Sequence, residues 1–211
     1  DPPRADGVAK PTGRQVGLLE ACLPADLPEA DLVRVMWVLN RAGQWDEVGA
    51  TQLILRIVAT KDDRWRAAAA IAQLAPGPAR QALEDLVNRP ECALPLDQLS
   101  GQIDLMPTGP VQLGLLVDTR RLAEEGDPTK RPGLLTRVSH RRALTGDRAG
   151  ALGAIEEAVT LYGGLARANP AAFTPDLATS LNNLSIQRAE AGDRVAALGA
   201  IEEAVTLHRQ L

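Results

Sequence analysis

The sequence predicts an all-α protein, a solenoid of stacked antiparallel helix pairs, and three observations carry that prediction. The first is a duplication: GDRVAALGAIEEAVTL at 192–207 repeats GDRAGALGAIEEAVTL at 146–161 with two changes, 46 residues on. At the same offset Leu135 falls on Leu181, Val138 on Leu184, Ser139 on Ser185, Arg142 on Arg188 and Ala143 on Ala189. A duplicated unit of this length marks a repeat architecture, in which each unit buries its apolar face against its neighbours. The second is period: apolar residues recur at helical spacing, and the breaks between such runs carry Gly or Pro. The third is composition, since one Tyr, one Phe and three Trp, with few Val-Ile-Thr runs, are poor material for a β-sandwich. The expected form is a curved stack of about eight to ten helices.

Each copy of the repeat reads as two helices. In the second copy Thr174 is placed to cap a helix with Pro175 at its first position, and Leu177, Leu181 and Leu184 then recur at helical spacing until Gly192 ends the run. Asp193 is placed to cap the next helix, whose inner stripe is Ala197, Ile201, Ala204 and His208, with Glu202 and Glu203 on the wet side. Gly146 and Gly192 should adopt positive φ at the helix ends, because only Gly does so without a Cβ penalty.

These residues resemble the tetratricopeptide repeat (TPR), whose helix pair follows a large, large, small, large, Gly, small, aromatic, small order. Leu181, Leu184, Ser185, Gly192, Asp193, Ala197, Ile201 and Ala204 occupy the signature places in the second unit. Leu135, Val138, Ser139, Gly146, Asp147, Ala151, Ile155 and Ala158 do so in the first. The period of 46 exceeds the common 34, and the run from Leu181 to Leu184 is similar to the longer units of kinesin light chain and of bacterial regulators. One departure is that Arg142 and Arg188 stand where the family places a large apolar residue or Tyr. Their stems are expected to cover apolar surface while the heads reach outward. The resemblance spans 127–211 and implies a right-handed α-solenoid of antiparallel helix pairs.

From the start of the chain, residues 1–13 hold three prolines and two glycines and read as a flexible arm. Residues 14–110 read as diverged helical hairpins, and 111–211 as the repeats of period 46. A short helix passes through Val16, Leu18, Leu19 and Cys22, and Pro28 opens a stronger one bearing Leu32, Val35, Met36 and Leu39. Gly43, Trp45 and Val48 fall where a TPR places its Gly, aromatic and small residue, so 28–60 resembles a diverged unit. A helix through Trp65, Ala69 and Ala72 and another through Leu83, Leu86 and Val87, split by Pro76-Gly77-Pro78, form a hairpin similar to HEAT repeats. A brief helix is expected over 95–105 and a longer one from Pro110 to Glu125, with Val111, Leu115 and Leu122 inward. The prolines at 90, 95, 107 and 110 leave the register of 88–110 open and make it a natural junction of two sub-domains.

Net charge −4 gives no electrostatic footprint for nucleic acid. No apolar run approaches the ~20 residues of a membrane span, and Asp1-Pro2-Pro3-Arg4 opens no signal peptide. Cys22 and Cys92 stand 70 residues apart, as in buried thiols of a cytoplasmic protein rather than a disulfide or metal framework. Twenty Arg against three Lys point to a GC-rich, bacterial source. The absent initiator Met, and a close at 207–211 that parallels the onward-leading 161–165, point to a segment of a longer regulatory protein.

Motifs for chemistry are missing: the sequence has no GxxxxGK[ST], GxSxG, HExxH or CxxC. Ser139 and His140 are adjacent, and neighbours on a helix point about 100° apart, so they do not pair as nucleophile and base. No catalytic residue, metal or cofactor is expected, and the chain is not read as an enzyme. If the resemblance holds, the first helix of each pair lines a concave face, which assigns Thr136, Arg137 and His140 from one unit and Asn182, Asn183 and Ile186 from the next. Amides bond both groups of an extended backbone and Arg grips a carboxylate, so the expected ligand is a protein or peptide, acidic rather than basic. The alternative is a self-assembly module in which solenoid ends stack into homo-oligomers.

Overall fold

The computed structural model describes Arg34 and residues 77–90, 94–105 and 110–210. The expectations for the N-terminal arm, for 28–60 with Trp45, for the Trp65 helix and for both cysteines lie outside those residues. Seven helices and no strand occur among the described residues, and Arg34 is also helical. They are α1 Pro78–Asn88, α2 Leu96–Asp104, α3 Val111–Glu124, α4 Arg131–Leu144, α5 Arg148–Ala168, α6 Pro170–Glu190 and α7 Arg194–His208. The chain divides into two compact units, Asp1–Leu113 and Gly114–Leu211, with the boundary inside α3.

In the first unit α1 begins with Pro78 at its first position, where the missing N–H costs nothing, and buries Leu83, Leu86 and Val87 as the spacing predicts. The short α2 buries Leu96, Leu99 and Ile103 along one stripe. Leu113, at the start of α3, is fully buried.

The second unit is built by consecutive packing: α4 packs on α5, α5 on α6 and α6 on α7. Its core joins Leu135 and Val138 of α4, Ala154, Ile155, Ala158 and Tyr162 of α5, Leu177, Leu181 and Leu184 of α6, and Ala200 and Ala204 of α7. Leu115 and Leu122 of α3 pack against this cluster, while Val111 is only half-buried. The facing side chains of α5 and α7 are mostly alanine, which lets backbones approach while leucines from α4 and α6 fill the space between.

The α4–α5 and α6–α7 links are the same device. Gly146 has φ 85° and Gly192 φ 89°, as expected, and among the described residues these two alone lie in the left-handed region. The Gly146 N–H donates to the Ala143 carbonyl at 3.0 Å and the Asp147 N–H to the Arg142 carbonyl at 2.9 Å, the paired bonds that close a helix around a left-handed residue. Gly192 and Asp193 repeat both bonds, to Ala189 and Arg188, at the same distances. Each Asp then caps the following helix, Asp147 accepting from the Gly150 N–H at 2.9 Å and Asp193 from the Ala196 N–H at 3.0 Å.

Three expectations are corrected. The helix expected to start at Thr174–Pro175 starts at Pro170, capped by Asn169, whose side chain accepts from the Ala172 N–H; Pro175 lies inside it. Asn-Pro is as good a start signal as Thr-Pro, and the bond Pro175 forfeits would end on the carbonyl of exposed Ala171, which water can satisfy. Asn169 thus ends α5 and begins α6, a one-residue link between two helices of 21 residues. His208, expected on the inner stripe of α7, is exposed. The guanidinium groups of Arg142 and Arg188 do not reach outward: they donate to the Gly150 and Ala196 carbonyls, at 3.1 and 3.5 Å, and tie each first helix to the first turn of the second.

Candidate functional site, a groove between the first helices

The two first helices, α4 and α6, contact each other directly as well as through α5. The Thr136 and Ser180 hydroxyls, 3.3 Å apart, tie them. Beyond that tie they leave a groove of about 310 Å³. One wall is Thr136, His140 and Leu144 of α4 and the other is Asn183, Ile186, Gln187 and Glu190 of α6. Ser139 and Ala143 also line it. The spacing is why these residues meet: 136, 140 and 144, like 183, 186, 187 and 190, recur at three or four along a helix and so share one face.

Four of the six residues read from the sequence as groove-lining, Thr136, His140, Asn183 and Ile186, come together here. Asn182 is exposed and does not line the groove. Arg137 does not line it either, because its Nε is 3.4 Å from Asp118 Oδ1 on α3. The charge that motivated an acidic ligand is thereby engaged within the fold.

The same holds for the other arginines of α4. Arg141 Nε is 2.5 Å from Asp118 Oδ2, and Arg131 is 3.5 Å from Glu157 and donates to the Leu122 carbonyl. Arg142 reaches Asp147 besides its backbone bond. The run that looks like a basic face in sequence is a set of ties. At its centre the Asp118 side chain is 0% exposed and faces three guanidinium groups, with Arg121 at 3.3 Å. Gly114, one turn earlier on α3, makes room: a Cβ there would fall on the Arg141 guanidinium. Sequence reasoning missed this cluster although a signal existed. Asp118 lies on the stripe of Val111, Leu115 and Leu122, and a carboxylate on an apolar stripe demands cations from a neighbouring helix.

Chemically the groove offers two apolar anchors, Leu144 and Ile186, both with much of their surface in solvent, beside two amides, Asn183 and Gln187. Ser139 is 2% exposed and its hydroxyl donates to the Ala151 carbonyl at 2.8 Å, bracing α4 on α5, while its neighbour His140 is exposed. Of the doubled glutamates, Glu156 pairs with Arg188 at 3.1 Å and Glu157 with Arg131. Among the described residues no group of three or more His, Cys, Asp or Glu side chains is placed to hold a metal, and no helix is long and apolar enough to cross a membrane. Comparison with protein-family models, with curated proteins and with solved structures gives no match in any of the three.

Proposed function

We propose that this chain is a non-catalytic, TPR-like scaffold segment of a cytoplasmic bacterial regulator, right-handed in its stacking, whose α4–α6 groove takes an extended peptide. One observation carries the reading: α4 and α6 face each other across a groove that sets the apolar Leu144 and Ile186 beside the primary amides of Asn183 and Gln187. An amide both donates to a backbone C=O and accepts from an N–H, so Asn183 and Gln187 suit the main chain of a ligand. Leu144 and Ile186 suit one apolar side chain of it. With Arg137 turned to Asp118 and with Glu190 in the wall, the ligand favoured is a neutral peptide with an apolar residue rather than an acidic one. A binding role also agrees with Ser139, whose hydroxyl is committed to a backbone carbonyl and unavailable to His140.

The test is selection of peptides from a random display library on the intact chain, followed by titration of the winners against groove variants. Asn183→Ala should lower affinity about fivefold to tenfold, the worth of a hydrogen bond that loses one partner. Ile186→Glu should abolish binding, and added salt should leave it nearly unchanged. Selected peptides that bind both variants as tightly as the parent place the ligand elsewhere.

A further inference from the structure

The polar side chains in the walls of the α4–α6 groove divide into two sets. The Thr136 and Ser139 hydroxyls are spent on the Pro132 and Ala151 carbonyls. Among the described residues, nothing bonds or pairs with the side chains of His140, Asn183, Gln187 and Glu190. Glu190 is the one carboxylate in the walls, and it is exposed. The cations nearby in sequence are committed elsewhere. Arg137 and Arg141 face Asp118, and Arg142 reaches Asp147 and the Gly150 carbonyl. Arg188, in the same turn of α6 as Glu190, reaches Glu156 and the Ala196 carbonyl. Glu190 is also the last residue of α6, where a helix presents its unbonded carbonyls, so the negative end of the helix dipole adds to the carboxylate instead of offsetting it. A ligand cation placed there is favoured by both.

Spacing fixes where that cation stands in the ligand. Ile186 and Glu190 are four residues apart on one face of α6, a rise of about 6 Å. In an extended peptide, side chains two residues apart share a face and lie about 6.6 Å apart. A peptide lying along α6 with an apolar side chain on Ile186 therefore brings its next side chain but one to Glu190. Asn183 and Gln187 repeat the interval of four, so their amides meet the main chain of the same ligand at the same step. Leu144 is the last residue of α4, as Glu190 is of α6, and lines the facing wall. It offers an apolar bed to the stem of a Lys or Arg whose head goes to the carboxylate. Resting on the peptide groove proposed above, we infer that Glu190 is its specificity-determining residue, selecting peptides that carry Lys or Arg two residues from the apolar anchor. The peptide stays neutral overall, and because the pair is exposed it discriminates between peptides more than it adds affinity.

The experiment selects one random peptide library in parallel on the intact 211-residue chain, on Glu190→Lys and on Glu203→Lys, an equal change of charge at an exposed residue of α7 outside the groove. Peptides from the parent should carry Lys or Arg two residues from an apolar residue. Those from Glu190→Lys should carry Asp or Glu there with the apolar residue kept, and those from Glu203→Lys should match the parent. In one parent-selected peptide, exchanging the basic residue for Glu should weaken binding to the parent about fivefold and strengthen binding to Glu190→Lys. Both variants should melt no lower than the parent, since neither carboxylate is paired among the described residues. Peptides that lose binding on Ile186→Glu but show no charge preference at that position overturn the assignment of Glu190 and leave the groove reading standing. A preference that Glu203→Lys reverses as fully as Glu190→Lys does the same, because it reports only the net charge of the chain. Peptides indifferent to Ile186→Glu, or no enrichment on any of the three proteins, overturn both.

Discussion

Asp118→Asn is the most informative single change, because it removes a charge while keeping the shape of the side chain. In the parent the Asp118 carboxylate has no solvent exposure, the Arg141 side chain is 8% exposed, and Arg121 and Arg137 approach the same carboxylate. Neutralising the acid takes from the buried Arg141 guanidinium the charge of the carboxylate it bonds and turns three cations toward one amide. Breaking a buried pair from one side costs roughly 3–5 kcal/mol. Against a typical domain stability of about 5–15 kcal/mol, the second unit should lose a large share of its margin. The assay is urea unfolding followed by far-UV circular dichroism, with the slope on denaturant checked for constancy so that a shift in midpoint reports stability. Glu124→Gln, which breaks an exposed pair with Arg120 one turn along the same helix, serves as the control and should cost about 1 kcal/mol or less. Gly114→Ala probes the cluster from the other side. Its Cβ meets the Arg141 guanidinium, which cannot retreat without leaving Asp118, so a loss of about 1–3 kcal/mol is expected. Replacing the pair with apolar residues, Asp118→Leu with Arg141→Met, should relieve most of that loss, since the obstacle is gone. If Asp118→Asn unfolds within about 1 kcal/mol of the parent, as the exposed-pair control does, the cluster is not dry in solution and the reasoning fails.

The other expectations concern the links and the one phenol. Gly146→Val and Gly192→Val should each destabilise by more than about 1 kcal/mol, because Val at φ near +85° is strained whatever the space around it; parent-like melting of both would contradict the observed helix ends. Asp147→Ala and Asp193→Ala should each cost about 1 kcal/mol through loss of an N-cap, and Asp147→Asn, which still accepts, should recover most of it. Burial, with the Asp176 carboxylate adding to it, holds the Tyr162 pKa above the usual phenol value of 10.0. Its contribution is therefore fully present below pH 10.0 and is lost as pH rises from there through the folded pKa, since the unfolded chain ionises first. Tyr162 is the chain's one tyrosine, so phenolate absorbance reports it alone; a titration midpoint at or below 10.0 in the folded protein would contradict its burial.

What was legible in the sequence is what depends on local chemistry. Gly146 and Gly192 announce left-handed helix ends because no other residue is free there, and Asp147 and Asp193 announce caps because the side chain reaches the next turn unaided. The leucines of α6 and the alanines of α5 and α7 announce their buried faces by spacing alone. Long-range pairing was not legible. The arginines of α4 look like a charged surface in sequence, and only the placement of Asp118 on α3 and Glu157 on α5 shows that they are spent inside the unit. The start of α6 was misplaced because Asn169-Pro170 and Thr174-Pro175 are equivalent start signals five residues apart, and the choice is made by a proline whose lost hydrogen bond faces water. In the groove, one position of a helical face could be inferred from another, which brought Thr136 to His140 and Asn183 to Ile186. Asn182, beside Asn183, points about 100° away and was lost to solvent for that reason.

The two 46-residue repeats differ from each other where the groove is and agree where packing is. Over 146–161 and 192–207 only Ala149 and Gly150 change, to Val195 and Ala196. On the first helices Ser139 and Ser185, Arg142 and Arg188, and Ala143 and Ala189 are also kept, and the two arginines tie each pair alike, whereas the Ser185 hydroxyl donates to the Asn182 carbonyl within α6. The walls of the groove are another matter. Thr136 corresponds to Asn182, Arg137 to Asn183, His140 to Ile186, Arg141 to Gln187 and Leu144 to Glu190. Two of these differences follow from the fold, since Arg137 and Arg141 answer to Asp118, whose equivalent 46 positions on is Gly164. Of the other three, Thr136 is tied to Ser180 through its hydroxyl, while His140, Leu144, Asn182, Ile186 and Glu190 are all exposed. A duplication that keeps its second helices and varies the exposed face of its first ones retains how its repeats pack while changing what each repeat presents, which is the division of labour that the proposed peptide groove would require.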